Sequence, residues 1–331
     1  MKYNNCICID AGTPNCPCPL AETGDCLVCS RLNGRDKCDC SWCGLCIYNE
    51  FMQNDRRSAG RRERFEAPVL SRRWYSSDLM TIKIKVDRGF TLAGAGPGSF
   101  VFLSGSAEPF FDTPVSIMRT DTKEGTMTFA VKMISAKTKA IAQAEDKVYI
   151  RGVYRNGLLG EGLRQDAKGA PLRDEKLSAY GTRWLFITKG VGFAPAVNII
   201  DRLPEEVSAD MVIDTEKITE EMISDSLSRC EAAREGRVKM DIMPLSRLLD
   251  RQDIEAGKCI REIEEYEKVF ILASDHYIHT LSAELNVPAG KLVYANNFHM
   301  CCGEGVCGAC CHVDENGNVS KMCKCRRRKD L

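Results

Sequence analysis

Nineteen cysteines occupy this 331-residue chain, and they sit almost wholly at its two ends. Ten lie within the first 46 residues and seven within the last 31; only Cys230 and Cys259 fall between. Such a distribution predicts two small modules held by something other than a large apolar core. The middle must then fold by ordinary burial. Met1–Asp10 lacks a charged-then-apolar leader pattern. No window reaches ~18 uncharged apolar residues; the best candidate, Trp184 to Ile200, is interrupted by Lys189 and two glycines. The reading is a cytoplasmic protein without a membrane span. In a reducing compartment these thiols are metal ligands rather than a disulfide framework. Cys230 and Cys259 read as small buried residues.

Lys plus Arg and Asp plus Glu each total 46, so the formal net charge is zero. That balance excludes a surface devoted to nucleic acid. Two runs are locally basic, Arg56, Arg57, Arg61, Arg62, Arg64, Arg72 and Arg73, and then Arg326 to Lys329. They read as solvated linker and tail, with a docking surface for an acidic partner as the sharper alternative.

Residues 1 to about 50 are poor in aliphatic side chains and rich in Cys, Gly, Pro and Asp, a composition that needs metal to fold. An Arg-rich connector follows over about 54–65. From Phe65 to about 178 short period-two strands prevail: Met80–Val86, Ser99–Leu103 after a Pro-Gly turn, Met127–Met133 and Val148–Arg151. Their Gly and Asp turns predict a small antiparallel barrel. From about 180, apolar runs at Trp184–Ile187, Met211–Ile213 and Val269–Leu272 alternate with helical stretches, the first over Ala194–Leu203. That alternation predicts a parallel α/β sheet. The expected domains are 1–64, 65–178, 179–296 and 297–331.

Cys302-x4-Cys307-x2-Cys310, with Cys323 after twelve more residues, has the ligand spacing of a plant-type [2Fe–2S] cluster. Three thiolates converging from one loop leave no room for bulky neighbours, and Gly303, Gly305 and Gly308 relieve the crowding. A four-thiolate zinc site is the alternative, and Cys325 is the alternative fourth ligand. Lys189-Gly-Val-Gly-Phe-Ala-Pro195 lies where a strand meets a helix. Gly190 and Gly192 there permit close approach of a pyrophosphate to a helix N-terminus.

With the barrel before it and the cysteine loop after it, this arrangement resembles the ferredoxin–NAD(P)+ reductase superfamily over about residues 65–331. The likeness extends to the electron-transfer subunits of dihydroorotate dehydrogenase and to the small subunits of NADH-dependent ferredoxin:NADP+ oxidoreductases. Pro97–Phe102 resembles the family's Pro-Gly-Gln-Phe-Val strand, and Thr113–Ile117 its Arg-Pro-Ile-Ser-Ile flavin segment. Ala136–Ile141 is similar to its Gly-Thr phosphate segment, and Gly152 to Gly157 to its barrel-ending glycine turn. The resemblance implies an antiparallel Greek-key barrel holding FAD through Pro114, Val115, Ser116, Thr138, Gly152 and Gly157. It implies an α/β domain holding NAD(H) or NADP(H) through Gly190, Gly192 and Pro195, and a C-terminal [2Fe–2S] module.

The family's arginine is Thr113 here, with Lys137 or Lys139 as substitutes. Its Cys-Gly-Pro is Ala273-Ser-Asp-His276, and the Asp-Gly-Pro after the fourth cysteine is Lys-Cys-Arg-Arg. Asp214, ending an apolar strand, would favour NAD over NADP by accepting from ribose hydroxyls; a helix cap is the plainer role.

The N-terminal cysteines allow two readings. Cys26-x2-Cys29 with Cys43-x2-Cys46 approaches a zinc ribbon. Cys38, Cys40, Cys43 and Cys46, closely spaced, suggest one or more [4Fe–4S] clusters. The expected function is therefore the electron-transfer subunit of a flavin iron–sulfur oxidoreductase. It would pass electrons between NAD(P)H, FAD and clusters, to or from a larger redox subunit, with electron bifurcation among the uses such relatives serve. A zinc-dependent scaffold and a member without nucleotide binding are the rival readings. None of the four histidines forms a catalytic triad.

Overall fold

The computed structural model describes residues 8–40, 42–60, 62–163, 182–249, 260–315, 317 and 319–325. Cys6, Arg61, Cys259, the run Arg326 to Lys329 and the expected boundary at 178/179 lie outside them. The N-terminal segment forms only short helices, α1 (Pro19–Glu22) and α2 (Ile47–Gln53), around a small core of Ala21, Cys26, Cys29, Leu32, Ile47 and Phe51. So little apolar burial cannot offset the chain entropy of a fifty-residue unit.

Six strands then close an antiparallel barrel: β1 (Arg64–Ser76), β2 (Leu79–Lys85), β3 (Phe100–Ser104), β4 (Thr113–Asp121), β5 (Thr126–Lys132) and β6 (Lys147–Tyr154), in the order β1-β2-β5-β4-β3-β6. Helices α3 (Arg88–Ala93) and α4 (Ala136–Gln143) plug its connections. Alternation explains β2: Met80, Ile82 and Ile84 point inward and are fully buried, whereas Lys83 and Lys85 face out. The arginines read as linker are partly structural. Arg72 and Arg73 belong to β1, where Arg72 donates to the Glu145 carbonyl and Arg73 pairs with Asp225 at 2.7 Å.

The second sheet runs β10-β9-β8-β11-β12-β7. In chain order its elements are β7 (Leu158–Leu159), β8 (Thr182–Lys189), α5 (Phe193–Ile200), β9 (Val207–Asp214), α6 (Glu220–Leu227), α7 (Glu231–Arg234), β10 (Val238–Ile242), β11 (Lys268–Leu272), α8 (Asp275–Glu284) and β12 (Leu292–Ala295). All neighbours are parallel except the edge strand β7, and β11 is buried throughout, as a strand covered on both faces should be. The chain leaves β8 toward β9 on one side and returns through β11 on the other, so the carboxyl end of β8 is a topological switch point. The hairpin β13 (Cys311–Val313) and β14 (Val319–Lys321) ends the described chain.

Barrel and sheet share apolar packing, since Leu79, Met118 and Ala130 lie in one cluster with Phe193, Val197 and Phe270. Arg119 clamps the same seam through Asp201 at 2.6 Å. No helix among the described residues is long and apolar enough to cross a membrane.

Candidate functional site

Four sulfurs meet in the C-terminal loop. Cys302 interacts with Cys307 and Cys323, and Cys323 also with Cys310. Hydrogen bonding from Cys323 holds the Cys302 thiol down to about 3 and that of Cys310 to about 7, and the same contacts push Cys323 up. Backbone amides add to this: Glu304 N–H donates to Cys302 Sγ, and Cys323 N–H to Cys310 Sγ, each at 3.3 Å. The loop can turn this tightly because Gly303 and Gly305 adopt φ of +71° and +79°. A Cβ on Gly303 would stand 2.5 Å from Tyr154 Cε1, and one on Gly305 2.9 Å from Leu20 Cδ1. Cys323, rather than Cys325, therefore completes the set. Among the described residues no three side chains stand in ligand geometry around a common metal position; the thiols contact one another instead. The donor set itself, four soft sulfurs with amides directed at them, suits an iron–sulfur cluster.

A buried charge network that the cysteine pattern gives no sign of lies behind this loop. Lys324 Nζ pairs with Asp10 Oδ2 at 2.6 Å and with Glu304 Oε2 at 2.8 Å. Arg62 pairs with Asp10 at 2.6 Å and Glu304 at 3.1 Å, and its guanidinium lies 4.3 Å from the Tyr154 ring centroid. Tyr154 O–H donates to Glu304 Oε1 at 3.0 Å. The Lys324 side chain is 0 % exposed and no member exceeds 10 %. Burial works against charge on Lys324 and Asp10 alike, yet each is held ionised by the other and by Arg62 and Glu304; Lys324 is raised and Asp10 lowered. Five segments far apart in sequence meet there: the N-terminal module, the linker, the end of β6, the cysteine loop and the tail.

The barrel's candidate flavin residues divide. Pro114 is exposed, Ser116 half-buried and Val115 buried on β4. Thr138 spends its hydroxyl on the capping box that starts α4 with Ser135. Gly152 and Gly157 serve packing: a Cβ on Gly157 would stand 2.6 Å from the Gly98 carbonyl. Lys137 Nζ donates to the Asp112 carbonyl at 3.4 Å and lies 4.9 Å from the exposed Phe110 ring. It thus brings a cation beside Thr113, the position at which the family carries arginine, and the donor set there fits a flavin phosphate. Asp112 also accepts from Arg151, which in turn donates to the Cys302 carbonyl at 2.9 Å. One guanidinium therefore ties the start of β4 to the cysteine loop.

At the switch point Gly190 has φ +59°, Val191 is exposed, and Pro195 is buried in α5. A Cβ on Gly192 would come within 2.0 Å of the Leu272 carbonyl, so this glycine sets how closely α5 approaches β11. Asp214 is committed inside the chain: its carboxylate accepts from Lys189 Nζ at 2.6 Å and from the amides of Glu216 and Leu245 at 2.9 Å. The cap role fits these contacts. The glycine turn with Lys217 beside it suits a pyrophosphate, whereas Lys189 is taken up by Asp214 and Glu216.

In the N-terminal module Cys26 and Cys29 are buried, whereas Cys38, Cys43 and Cys46 are exposed and Cys40 is intermediate. The Cys38 and Cys40 sulfurs lie 3.9 Å apart. Cys8, Cys16, Cys18 and Cys26, by contrast, line one small pocket. Spacing alone singled out Cys26 of these four, because the Cys-x-Cys pairs 6/8 and 16/18 match no familiar ligand pattern.

No family model and no curated protein matches the chain. Solved structures do. A chain of the NADH-dependent reduced ferredoxin–NADP oxidoreductase, described for flavin-based electron bifurcation, aligns at TM-score 0.54 and 16% identity, over 78% of this chain and 85% of that one. The ferredoxin NADP+ reductase from Neisseria gonorrhoeae with bound FAD and NADP aligns at 0.51 and 13%, covering 71% and 99%. The ferredoxin reductase of carbazole 1,9a-dioxygenase aligns at 0.50 and 14%, covering 71% and 70%. A closed six-stranded antiparallel barrel seated on a parallel sheet, glycine turn at its switch point, is thus the fold of the ferredoxin–NAD(P)+ reductase superfamily, and this chain has it.

Proposed function

We propose that this chain is the electron-transfer subunit of a flavin iron–sulfur oxidoreductase, exchanging electrons between NAD(P)H, FAD and iron–sulfur centres and a larger redox subunit. The convergence of Cys302, Cys307, Cys310 and Cys323 at the end of the barrel is the observation that carries this reading. A flavin takes two electrons together from a reduced nicotinamide and a cluster takes them one at a time, so bound cofactors of these kinds supply the conversion. The chain's own residues position. Arg151 fixes the distance between the flavin segment and the cysteine loop through Asp112 and the Cys302 carbonyl. Lys137 offers the flavin phosphates a cation, and the Gly190–Gly192 turn offers the nucleotide its amides. The N-terminal cysteines add a further iron–sulfur station, of [4Fe–4S] type. The bifurcating relative makes a role in flavin-based bifurcation part of this reading.

A second reading, cluster and flavin without nucleotide binding, is favoured by one observation. Lys189, ion-paired to Asp214 and Glu216, lies 5.1 Å from the Tyr277 ring centroid at the nucleotide turn. Flavin, iron and acid-labile sulfide measured on protein purified without oxygen test the main reading. FAD with iron and sulfide in matching amounts is expected; colourless protein holding stoichiometric zinc would sink it.

A further inference from the structure

We propose that Cys8, Cys16, Cys18 and Cys26 are the four ligands of a [4Fe–4S] cluster packed directly behind the C-terminal cysteine loop. The four sulfurs surround one pocket whose apolar walls include Leu20 and Ile47. Cys18 and Cys26 are buried, Cys8 and Cys16 partly so. Cys26 Sγ also accepts the backbone amide of Cys29 at 3.3 Å. An amide directed at sulfur stabilises the thiolate and the anionic cluster it binds. Four thiolates suit an iron–sulfur cluster or a zinc ion, and the reading of the chain as an iron–sulfur protein selects the cluster.

Position agrees. Leu20, which walls the pocket, is the side chain that a Cβ on Gly305 would strike, and Ile9 N–H donates to the Lys324 carbonyl at 2.8 Å. One side-chain layer therefore separates this pocket from the C-terminal loop. The more closely spaced Cys38, Cys40, Cys43 and Cys46 lie outside it. The inference rests on the reading of the chain as an iron–sulfur protein, but on neither flavin nor nucleotide.

The test uses full-length protein purified without oxygen, with iron counted and the dithionite-reduced protein read by low-temperature EPR. A fast-relaxing cubane signal is expected beside the [2Fe–2S] signal. Cys18→Ser, and Cys16→Ser at the more open rim, should each lose about four irons and the cubane signal while keeping the other. Cys302→Ser should do the reverse. Unchanged iron in both pocket variants, or loss of zinc instead, overturns the site and leaves the C-terminal assignment standing; absence of iron from the wild type overturns both. If the pocket variants do not fold, a Mössbauer spectrum of iron-57 protein carrying serine at all of 38, 40, 43 and 46 decides. Retention of a cubane doublet supports the site, and its loss contradicts it.

Discussion

Glu304 carries the most consequence per atom at the residue scale. Its carboxylate accepts from Lys324, Arg62 and Tyr154 in a space closed to water. Glu304→Gln would leave two buried cations facing Asp10 alone, and breaking a buried network this way costs about 3–5 kcal/mol. Thermal unfolding should register a large drop in midpoint, whereas Glu66→Gln, which removes the exposed pair with Lys147, should leave it unchanged. An equal midpoint for the two variants would contradict the network. The signs of the shifts also fix a pH window. Asp10 is lowered, so its contribution is complete above an unfolded value of about 3.9 and disappears as pH falls through its folded value. Lys324 is raised, so its contribution is complete below about 10.4 and disappears as pH rises through its folded value. Stability should form a plateau between those limits, and Lys324→Met should remove the alkaline edge in unfolding curves taken against pH. None of this was legible in the sequence: Asp10 and Glu304 are single charges, Arg62 lies in and Lys324 beside basic stretches that read as linker and tail, and the four are spread over more than three hundred residues. The four cysteines proposed as C-terminal ligands, all within twenty-two residues, were grouped by their spacing alone.

At the scale of elements the glycine turn after β8 sets the approach of α5 to the sheet. Gly192→Ala would drive a Cβ to 2.0 Å from the Leu272 carbonyl, so it should destabilise by about 1–3 kcal/mol or more. Gly290→Ala, with nothing within 4 Å of the added carbon, should be nearly silent in the same denaturant titration. Similar midpoints for the two would show that the helix does not sit as described. Strands such as β2, β5 and β11 were readable because period-two patterns or unbroken apolar runs report burial directly. The thirteen-residue β1 was not: its arginines look like linker, and only pairing with β2 and β6 makes a strand of them. The pocket formed by Cys8, Cys16, Cys18 and Cys26 escaped for a related reason. Its members come together through the α1 turn and a bridge between Cys8 and Cys325, contacts that no local spacing encodes.

For the whole molecule, a barrel and a parallel sheet share one apolar seam, and the two cysteine-rich modules gather at the barrel's edge. The cysteine loop joins barrel through Arg151 and Tyr154, and N-terminal module through Lys324 and Leu20. The two terminal modules, remote in sequence, thus form a single body with the barrel, an arrangement suited to passing electrons between stations. Titrating oxygen-free, full-length protein with NADH and then NADPH, while following the visible spectrum, tests that claim most directly. Bleaching of a flavin band together with partial bleaching of the iron–sulfur bands, by one nucleotide at substoichiometric to stoichiometric amounts, is the predicted result. A spectrum with flavin and cluster bands that neither nucleotide changes, though dithionite does, would contradict it.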